Sequence, residues 1–126
     1  MKADKVDVTV SDDNYMTGVM FSSRSAGESI PKYWLFGRSE EPEEVDKPIY
    51  IEKDDQAWST YGGVEECILG RDKIRLRLDE SAASEVRTER EVVIEFSVDD
   101  TKYALLRQAF DSIFRGYPGY GGEGEI

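Results

Sequence analysis

Two carboxylates in the middle of the chain have a spacing that suits acid and base chemistry. Glu52 and Asp54 lie two residues apart, so on a β-strand they would share a face with Cα atoms about 6.5 Å apart. That separation approximates the carboxylate pair of a glycosidase. Nearness in sequence is weak evidence for such a pair, and no water-excluding element accompanies it. We therefore predict no catalytic residue here.

The chain contains no histidine. This excludes Ser-His-Asp and Cys-His catalytic arrangements, His-ligated zinc sites and a histidine general base. Cys67 is the single cysteine and lies in a strand-like run, so we predict a small core residue rather than a nucleophile. The acidic residues lack the spacing of a calcium loop, and the Gly-Gly pairs lack the lysine of a phosphate-binding loop. We expect no metal and no cofactor.

An acidic stretch followed by two aromatic residues is better suited to protein recognition. Residues 39–47 are densely acidic around Pro42, which predicts an exposed loop. Trp58 and Tyr61 flank the following turn. Aromatic side chains are enriched among interface hot spots, and carboxylates complement the Lys and Arg of a basic partner. The alternative for the two aromatic residues is packing over the end of the sheet or barrel. The predicted binding residues are Glu40, Glu41, Glu43, Glu44, Asp54, Asp55, Trp58 and Tyr61.

Hydrophobic periodicity predicts an α+β fold, in which a predominantly antiparallel sheet is covered on one face by a C-terminal helix. The first strand shows the alternation of Val6, Val8 and Val10 with polar residues, as expected of a strand with one buried face. The predicted strands cover residues 6–10, 15–21, 33–36, 49–53, 58–61, 64–69, 73–78 and 92–98.

Capping residues and helical spacing predict two helices. Asp79 can cap a short helix near residues 80–85. The C-terminal helix runs from about residue 100 to 114, where Tyr103, Leu106, Phe110 and Ile113 follow helical spacing. Because a one-sided sheet needs a cover, we expect this stripe to pack on the sheet rather than to bind a partner helix.

The hairpin around residues 70–72 has two alternative registers. An even-numbered loop places Cys67 and Leu69 on the buried face that carries Ile74, Leu76 and Leu78. A three-residue bulged loop places Val64 and Ile68 there instead. The sequence leaves both registers open.

The overall charge is strongly negative. The formal net charge is -11 and the sequence pI is about 4.5, so the average field repels nucleic acid and anionic lipid and attracts cationic partners. The alternative is that acidity only keeps the protein soluble. A single cysteine, no signal peptide and no membrane-length apolar run lead us to expect a soluble cytoplasmic protein without a membrane partner.

The length of 126 residues suits one domain with a core of its own. We predict a single globular domain over residues 1–116. Residues 117–126 are rich in glycine and lack an apolar pattern, which predicts a flexible tail that is dispensable for folding.

Several segments carry a resemblance to a known family. They are the run of residues 51–56 (Ile-Glu-Lys-Asp-Asp-Gln), the turn at 61–64 (Tyr-Gly-Gly-Val), the pattern of Leu69, Ile74, Leu76 and Leu78, and the C-terminal helix. Across residues 33–114 the chain resembles the immunity protein 10 family of bacterial polymorphic-toxin systems. The resemblance implies a small inhibitor that binds a cognate toxin domain stoichiometrically.

The negative charge supplies a mechanism for such an inhibitor. If the toxin is a basic nuclease, acidic side chains mimic the phosphates of its substrate and occlude the active site, and no catalytic group is needed. Two alternatives stay open. One is a non-inhibitory binding or oligomerising module that uses a free sheet edge or an aromatic strip. The other is a carboxylate-dependent enzyme built on Glu52, Asp54 and Asp55.

Overall fold

The computed structural model describes residues 1–11, 16–23, 32–39 and 49–122. These residues form nine strands and two helices. In chain order the elements are β1 (Lys5–Ser11), β2 (Met16–Ser23), β3 (Lys32–Ser39), β4 (Tyr50–Lys53), β5 (Asp55–Tyr61), β6 (Val64–Leu69), β7 (Lys73–Leu78), α1 (Glu80–Glu85), β8 (Glu91–Glu95), α2 (Asp100–Ile113) and β9 (Tyr120–Gly122). The predicted α+β class is confirmed.

The first five strands form an antiparallel sheet in chain order, β1-β2-β3-β4-β5. Alternate residues are buried on one face, as in the Trp34 and Phe36 pair of β3 and Ile51 of β4, and the residues between them face outward. This alternation is the pattern that predicted the strands.

The remaining strands form a second sheet in the order β8-β7-β6-β9. In the β6–β7 hairpin, Leu69 pairs with Ile74 and Cys67 pairs with Leu76. The even-numbered register is therefore the observed one, and Cys67 is fully buried as predicted. The strands thus divide between two sheets rather than extending a single one, although both sheets are mostly antiparallel.

Both predicted helices are confirmed. Asp79 accepts a hydrogen bond from the backbone N–H of Ala82 and caps α1, and Asp99 caps α2 in the same way. Phe110 of α2 packs edge-on against Phe21 and Phe36 of the five-stranded sheet. The predicted covering of a sheet by the C-terminal helix is therefore correct, and the inward faces of both sheets share one core with α2.

Two short connections join the sheets. Residues 1–4 bridge them, because the backbone N–H of Ala3 bonds to Glu95 of β8 while that of Asp4 bonds to Ser22 of β2. At the other connection Gly63 has a φ of +82°, and a Cβ there would lie 2.4 Å from the Cβ of Ala82. A glycine is required at this position for both its backbone conformation and the closeness of α1.

The segment after α2 differs in part from the predicted flexible tail. Tyr117 and Tyr120 pack on Phe114, and Tyr120–Gly122 forms a short strand parallel to β6. The rings of Tyr117 and Tyr120 bury apolar area against Phe114, and the glycine-rich composition of the segment gave no indication of this packing. The domain boundary at residue 116 and the flexibility of residues 123–126, which lie outside the described residues, stay predictions.

Candidate functional site

The outward face of the five-stranded sheet carries a group of tyrosines around one carboxylate. Its members lie on β3, β4 and β5: Tyr50 pairs with Tyr61, and Glu52 pairs with Ser59. Leu35 of β3 pairs with Glu52, and Tyr33 lies two residues before Leu35 on the same face of the sheet. Helix α2 packs on the opposite, inward face of this sheet. We call the set of Tyr33, Tyr50, Glu52, Ser59 and Tyr61 the tyrosine face.

Glu52 is the centre of the tyrosine face. The hydroxyl of Tyr33 donates a hydrogen bond to Oε2 of Glu52, and the hydroxyl of Tyr50 donates one to Oε1 at 2.5 Å. The carboxylate lies on an outward face, yet the residue is only 9% exposed, and each of its oxygens accepts a hydrogen bond from a phenol hydroxyl. Hydrogen bonds to an ionised acceptor are stronger than neutral ones, so both rings are held in place.

The two donor hydroxyls stay protonated at neutral pH. Burial is the main cause that raises the pKa of Tyr33, and the hydrogen bond to Glu52 raises it further. The same two causes raise the pKa of Tyr50, against an opposing effect of the neighbouring Ser59 hydroxyl. Since neither hydroxyl releases its proton near pH 7, the cluster is suited to fixing a carboxylate in place rather than to transferring protons.

Asp54 has a structural role in the turn between β4 and β5. Its backbone has a φ of 62°, and its Oδ1 accepts a hydrogen bond from the backbone N–H of Tyr33 at 2.9 Å. Its Oδ2 lies 2.7 Å from Nζ of Lys53. These contacts occupy both carboxylate oxygens, and the positive φ turns Asp54 away from the extended geometry that the acid–base pairing with Glu52 assumed.

Asp55 is the exposed member of the predicted acidic pair. Its Oδ1 accepts one hydrogen bond, from the backbone N–H of Ala57 at 2.8 Å. Asp55 lies close enough to Tyr33 for its charge to contribute to the raised pKa of that hydroxyl. The structure therefore brings Asp55 next to the tyrosine face.

The two predicted aromatic anchors have separate neighbours. Tyr61 is 61% exposed and packs against Tyr50, with ring centroids 5.2 Å apart. Trp58 lies under the guanidinium of Arg87, which is 4.8 Å from its ring centroid. Three residues apart on an extended strand, Trp58 and Tyr61 point to opposite sides. The four predicted loop residues Glu40, Glu41, Glu43 and Glu44 lie outside the described residues.

A second surface feature is a cleft of about 660 Å³ on the outer side of the four-stranded sheet. Three of its charged residues pair with one another: Glu65 Oε1 lies 2.8 Å from Nη2 of Arg90 and 3.4 Å from Nε of Arg77. Because both arginines of the cleft already contact a carboxylate, the cleft offers little to an anionic partner.

Sequence reasoning missed the tyrosine face as a unit. Tyr50 and Glu52 are two residues apart on one strand, so alternation alone places them on one face. Tyr33 joins them only through the pairing of Leu35 with Glu52 across β3 and β4. The hydrophobic pattern of Tyr33 to Phe36 gives no indication of that register.

The described part of the chain offers neither a candidate metal site nor a membrane-length helix. Residues 1–11, 16–23, 32–39 and 49–122 contain no cluster of three or more acidic or cysteine residues placed to hold a metal ion. Neither α1 nor α2 is long and apolar enough to span a membrane.

Comparison with known proteins gives one match. The family model described as immunity protein 10 matches residues 2–104, which is most of the chain. Searches of curated proteins and of solved structures return no match. The matched range contains both sheets apart from β9 and the whole tyrosine face. The chain therefore belongs to the immunity protein 10 family.

Proposed function

We propose that this immunity protein neutralises its cognate toxin domain by stoichiometric binding, with the tyrosine face and the adjacent carboxylates as the contact surface. The observation that carries the proposal is the outward placement of Tyr50, Tyr61 and Glu52 beside the exposed Asp55. Partly exposed aromatic rings next to acidic groups have the composition of an interface centre with a charged rim.

The charges and the rings contribute to different steps of binding. The net charge of -11 attracts a cationic toxin and raises the association rate. A tyrosine that becomes desolvated in the complex mainly lowers the dissociation rate. The acidic residues Glu40, Glu41, Glu43 and Glu44, which precede β4, belong to the charged part of the proposed surface.

A basic nuclease is the toxin class that fits an acidic inhibitor best. Enzymes that bind nucleic acid hold its phosphates with Lys and Arg. Carboxylates placed over those side chains substitute for the phosphates and cover the active site. Inhibition of this kind needs no turnover by the immunity protein.

Asp54 and Trp58, two of the predicted contact residues, contribute less directly to the proposed contact surface. Asp54 supports the β4–β5 turn through its bonds to Tyr33 and Lys53, so its substitution acts on binding through the fold. Trp58 already packs with Arg87, and it contributes to binding only if the interface extends around the edge of β5.

Co-expression tests the function. Each toxin domain encoded beside this gene is expressed with and without the protein, and survival and co-purification are scored. A toxin that kills alone, is tolerated in the presence of the protein and co-purifies with it at one-to-one stoichiometry supports the proposal. Survival without a complex, or a complex without survival, contradicts it.

A matched pair of variants locates the surface. Tyr61 and Leu105 are both large, exposed side chains, at 61% and 48% exposure, and Leu105 lies on α2, away from the tyrosine face. Tyr61→Ala should weaken toxin binding by about tenfold or more, which corresponds to an interface hot spot. Leu105→Ala should leave the affinity within about twofold. Equal effects of the two substitutions would place the interface elsewhere.

A binding module without inhibitory activity is the second candidate. The specific observation is that β5 is an edge strand, since it pairs only with β4 among the described strands. An edge strand can accept a strand from a partner. In the co-expression test this candidate gives a stable complex with no protection.

A further inference from the structure

We propose that the tyrosine face is a receptor for one arginine side chain of the toxin, with Glu52 as the acceptor of its guanidinium and Tyr50 and Tyr61 as the rings it packs against. The inference rests on the proposed toxin binding and specifies its chemistry. It follows from the charge, the acceptor capacity and the ring geometry of this face.

The charge of Glu52 has no cationic partner among the residues that the structure describes. Its two hydrogen-bond donors are the neutral hydroxyls of Tyr33 and Tyr50. The nearest cation in sequence, Lys53, is paired with Asp54 at 2.7 Å and lies near the ring of Trp34. A carboxylate with this little exposure loses much of its hydration, and an incoming cation compensates that loss.

The acceptor capacity of Glu52 matches an arginine. A carboxylate has two oxygens with about four lone-pair sites in all. Tyr33 occupies one site on Oε2 and Tyr50 occupies one on Oε1. One site on each oxygen is left, and two parallel acceptors are the arrangement that a guanidinium fork binds. A lysine ammonium is a point charge and does not use both oxygens in this way.

The rings beside Glu52 suit a planar cation. Tyr50 and Tyr61 are tilted by 56° with centroids 5.2 Å apart, and Tyr61 is mostly exposed. A guanidinium within about 6 Å of a tyrosine ring is attracted by its π-system. The same protein uses this contact internally, with Arg71 4.7 Å from the ring centroid of Tyr103. An arginine seated on Tyr61 reaches toward Glu52, which lies two residues from Tyr50 on the paired strand.

The first test is isosteric replacement of the acceptor. Glu52→Gln keeps the shape and leaves groups that can hydrogen-bond to both phenols, but it removes the charge. Toxin affinity should fall about 10- to 100-fold, as expected for the loss of a charge-assisted hydrogen bond. Glu91→Gln, which neutralises an exposed carboxylate on the other sheet, is the matched control and should change affinity less than about twofold. Wild-type affinity of a folded Glu52→Gln protein would overturn the proposal.

The second test identifies the arginine. Each surface arginine of the toxin is replaced by alanine and measured against wild-type protein and against Glu52→Gln. One replacement should weaken binding about tenfold or more to wild type and have almost no further effect with Glu52→Gln, because coupled residues are not additive. Lysine at the same toxin position should not restore binding. If the toxin binds tightly but no arginine couples to Glu52, this inference is wrong while the proposed function survives.

The third test separates the ring from the hydroxyl of Tyr61. Tyr61→Phe keeps the π-face, whereas Tyr61→Leu keeps apolar volume without a π-face and should bind the toxin several-fold more weakly than Tyr61→Phe does. Equal affinities of the two variants would contradict the ring contact.

A small arginine derivative tests the arginine site in the absence of the toxin. This experiment can be done even if no toxin domain binds and the proposed function fails. N-acetyl-arginine amide is titrated to about 100 mM, well above a millimolar dissociation constant. NMR signals of the Tyr50 and Tyr61 rings should shift saturably in wild type and not in Glu52→Gln, and less with the lysine amide. The absence of a wild-type shift would overturn the arginine site on its own.

Discussion

Phe110 connects the C-terminal helix to the sheet at the scale of a single residue. Its ring is fully buried and contacts Phe21, Phe36 and Phe114. Phe110→Ala should lower the free energy of unfolding by about 3 to 5 kcal/mol, measured by urea denaturation, because it leaves a cavity among these rings. Leu105→Ala on the exposed side of the same helix should change it by less than about 0.5 kcal/mol. A fully stable Phe110→Asp protein would contradict the packing.

The hydrogen bond from Tyr33 to Glu52 in the tyrosine face should make the stability of the protein depend on pH in the alkaline range. The pKa of Tyr33 is raised in the folded state, so above about pH 10 the unfolded chain releases a proton that the folded protein keeps. This contribution to stability is complete below about pH 10 and is lost as the pH rises toward the folded-state pKa. Tyr33→Phe should therefore lose stability less steeply than wild type between about pH 9.5 and 11. Urea midpoints measure this, with Tyr61→Phe as the control; parallel profiles for wild type and Tyr33→Phe would contradict it.

At the scale of the elements, the C-terminal end of α2 is capped by an arginine from β3. Arg38 donates to the carbonyl oxygens of Ile113 and Arg115 at 3.1 and 2.7 Å, and its guanidinium lies 5.6 Å from the ring centroid of Tyr117. The free carbonyls at a helix end need donors, and a cation there also complements the helix dipole.

Loss of this cap should be costly. Arg38→Met keeps the apolar stem and removes the donors, so we expect the free energy of unfolding to fall by about 1 to 3 kcal/mol. Gln108→Ala, at an exposed position of α2, should have little effect by the same urea measurement. If both variants unfold at the same urea concentration as wild type, Arg38 does not stabilise the helix end.

The segment after α2 gives a test by truncation. Tyr120 stacks on Phe114 with centroids 5.1 Å apart and donates to Asp111 at 2.6 Å. Deletion of residues 117–126 should lower the thermal midpoint by more than about 5 °C, or roughly 1 kcal/mol. Deletion of residues 123–126 alone should leave the midpoint nearly unchanged. Equal midpoints for the two truncations would show that the tyrosines do not stabilise the fold.

Local signals in the sequence were sufficient for some elements. Asp79 and Asp99 mark the starts of α1 and α2, and alternation marks most strands, because these signals act between residues close in the chain. The meeting of Tyr33 with Glu52 depends on the register between two strands, which no local pattern fixes. The glycines of Tyr120–Gly122 predict a loop, and the segment forms a strand because it pairs with β6.

At the scale of the whole molecule, the negative charge should raise the rate of association with the toxin. Replacing Glu40, Glu41, Glu43 and Glu44 with glutamine should slow association with the toxin and flatten its dependence on salt, because steering depends on charges near the interface. Stopped-flow or surface-based kinetics at several ionic strengths measure both quantities.

A control of equal charge separates local from overall effects. Glu80, Glu85, Glu89 and Glu91 are exposed on other parts of the molecule, and their replacement with glutamine changes the net charge by the same amount. We expect the association rate to fall less in this variant. Equal slowing in both variants would show that only the net charge matters and that Glu40, Glu41, Glu43 and Glu44 are not near the contact surface.

The position of Cys67 gives the protein an internal reporter of how its C-terminal strand opens. Its backbone N–H bonds to Gly119 and it pairs with Tyr120 of β9, and burial raises the pKa of its thiol. A thiol reagent therefore reacts only when residues 117–122 detach or the whole domain unfolds. The chain has a single cysteine, so the labelling rate of the unmodified protein measures how often these openings occur. A bound toxin that holds the strand closed would lower that rate.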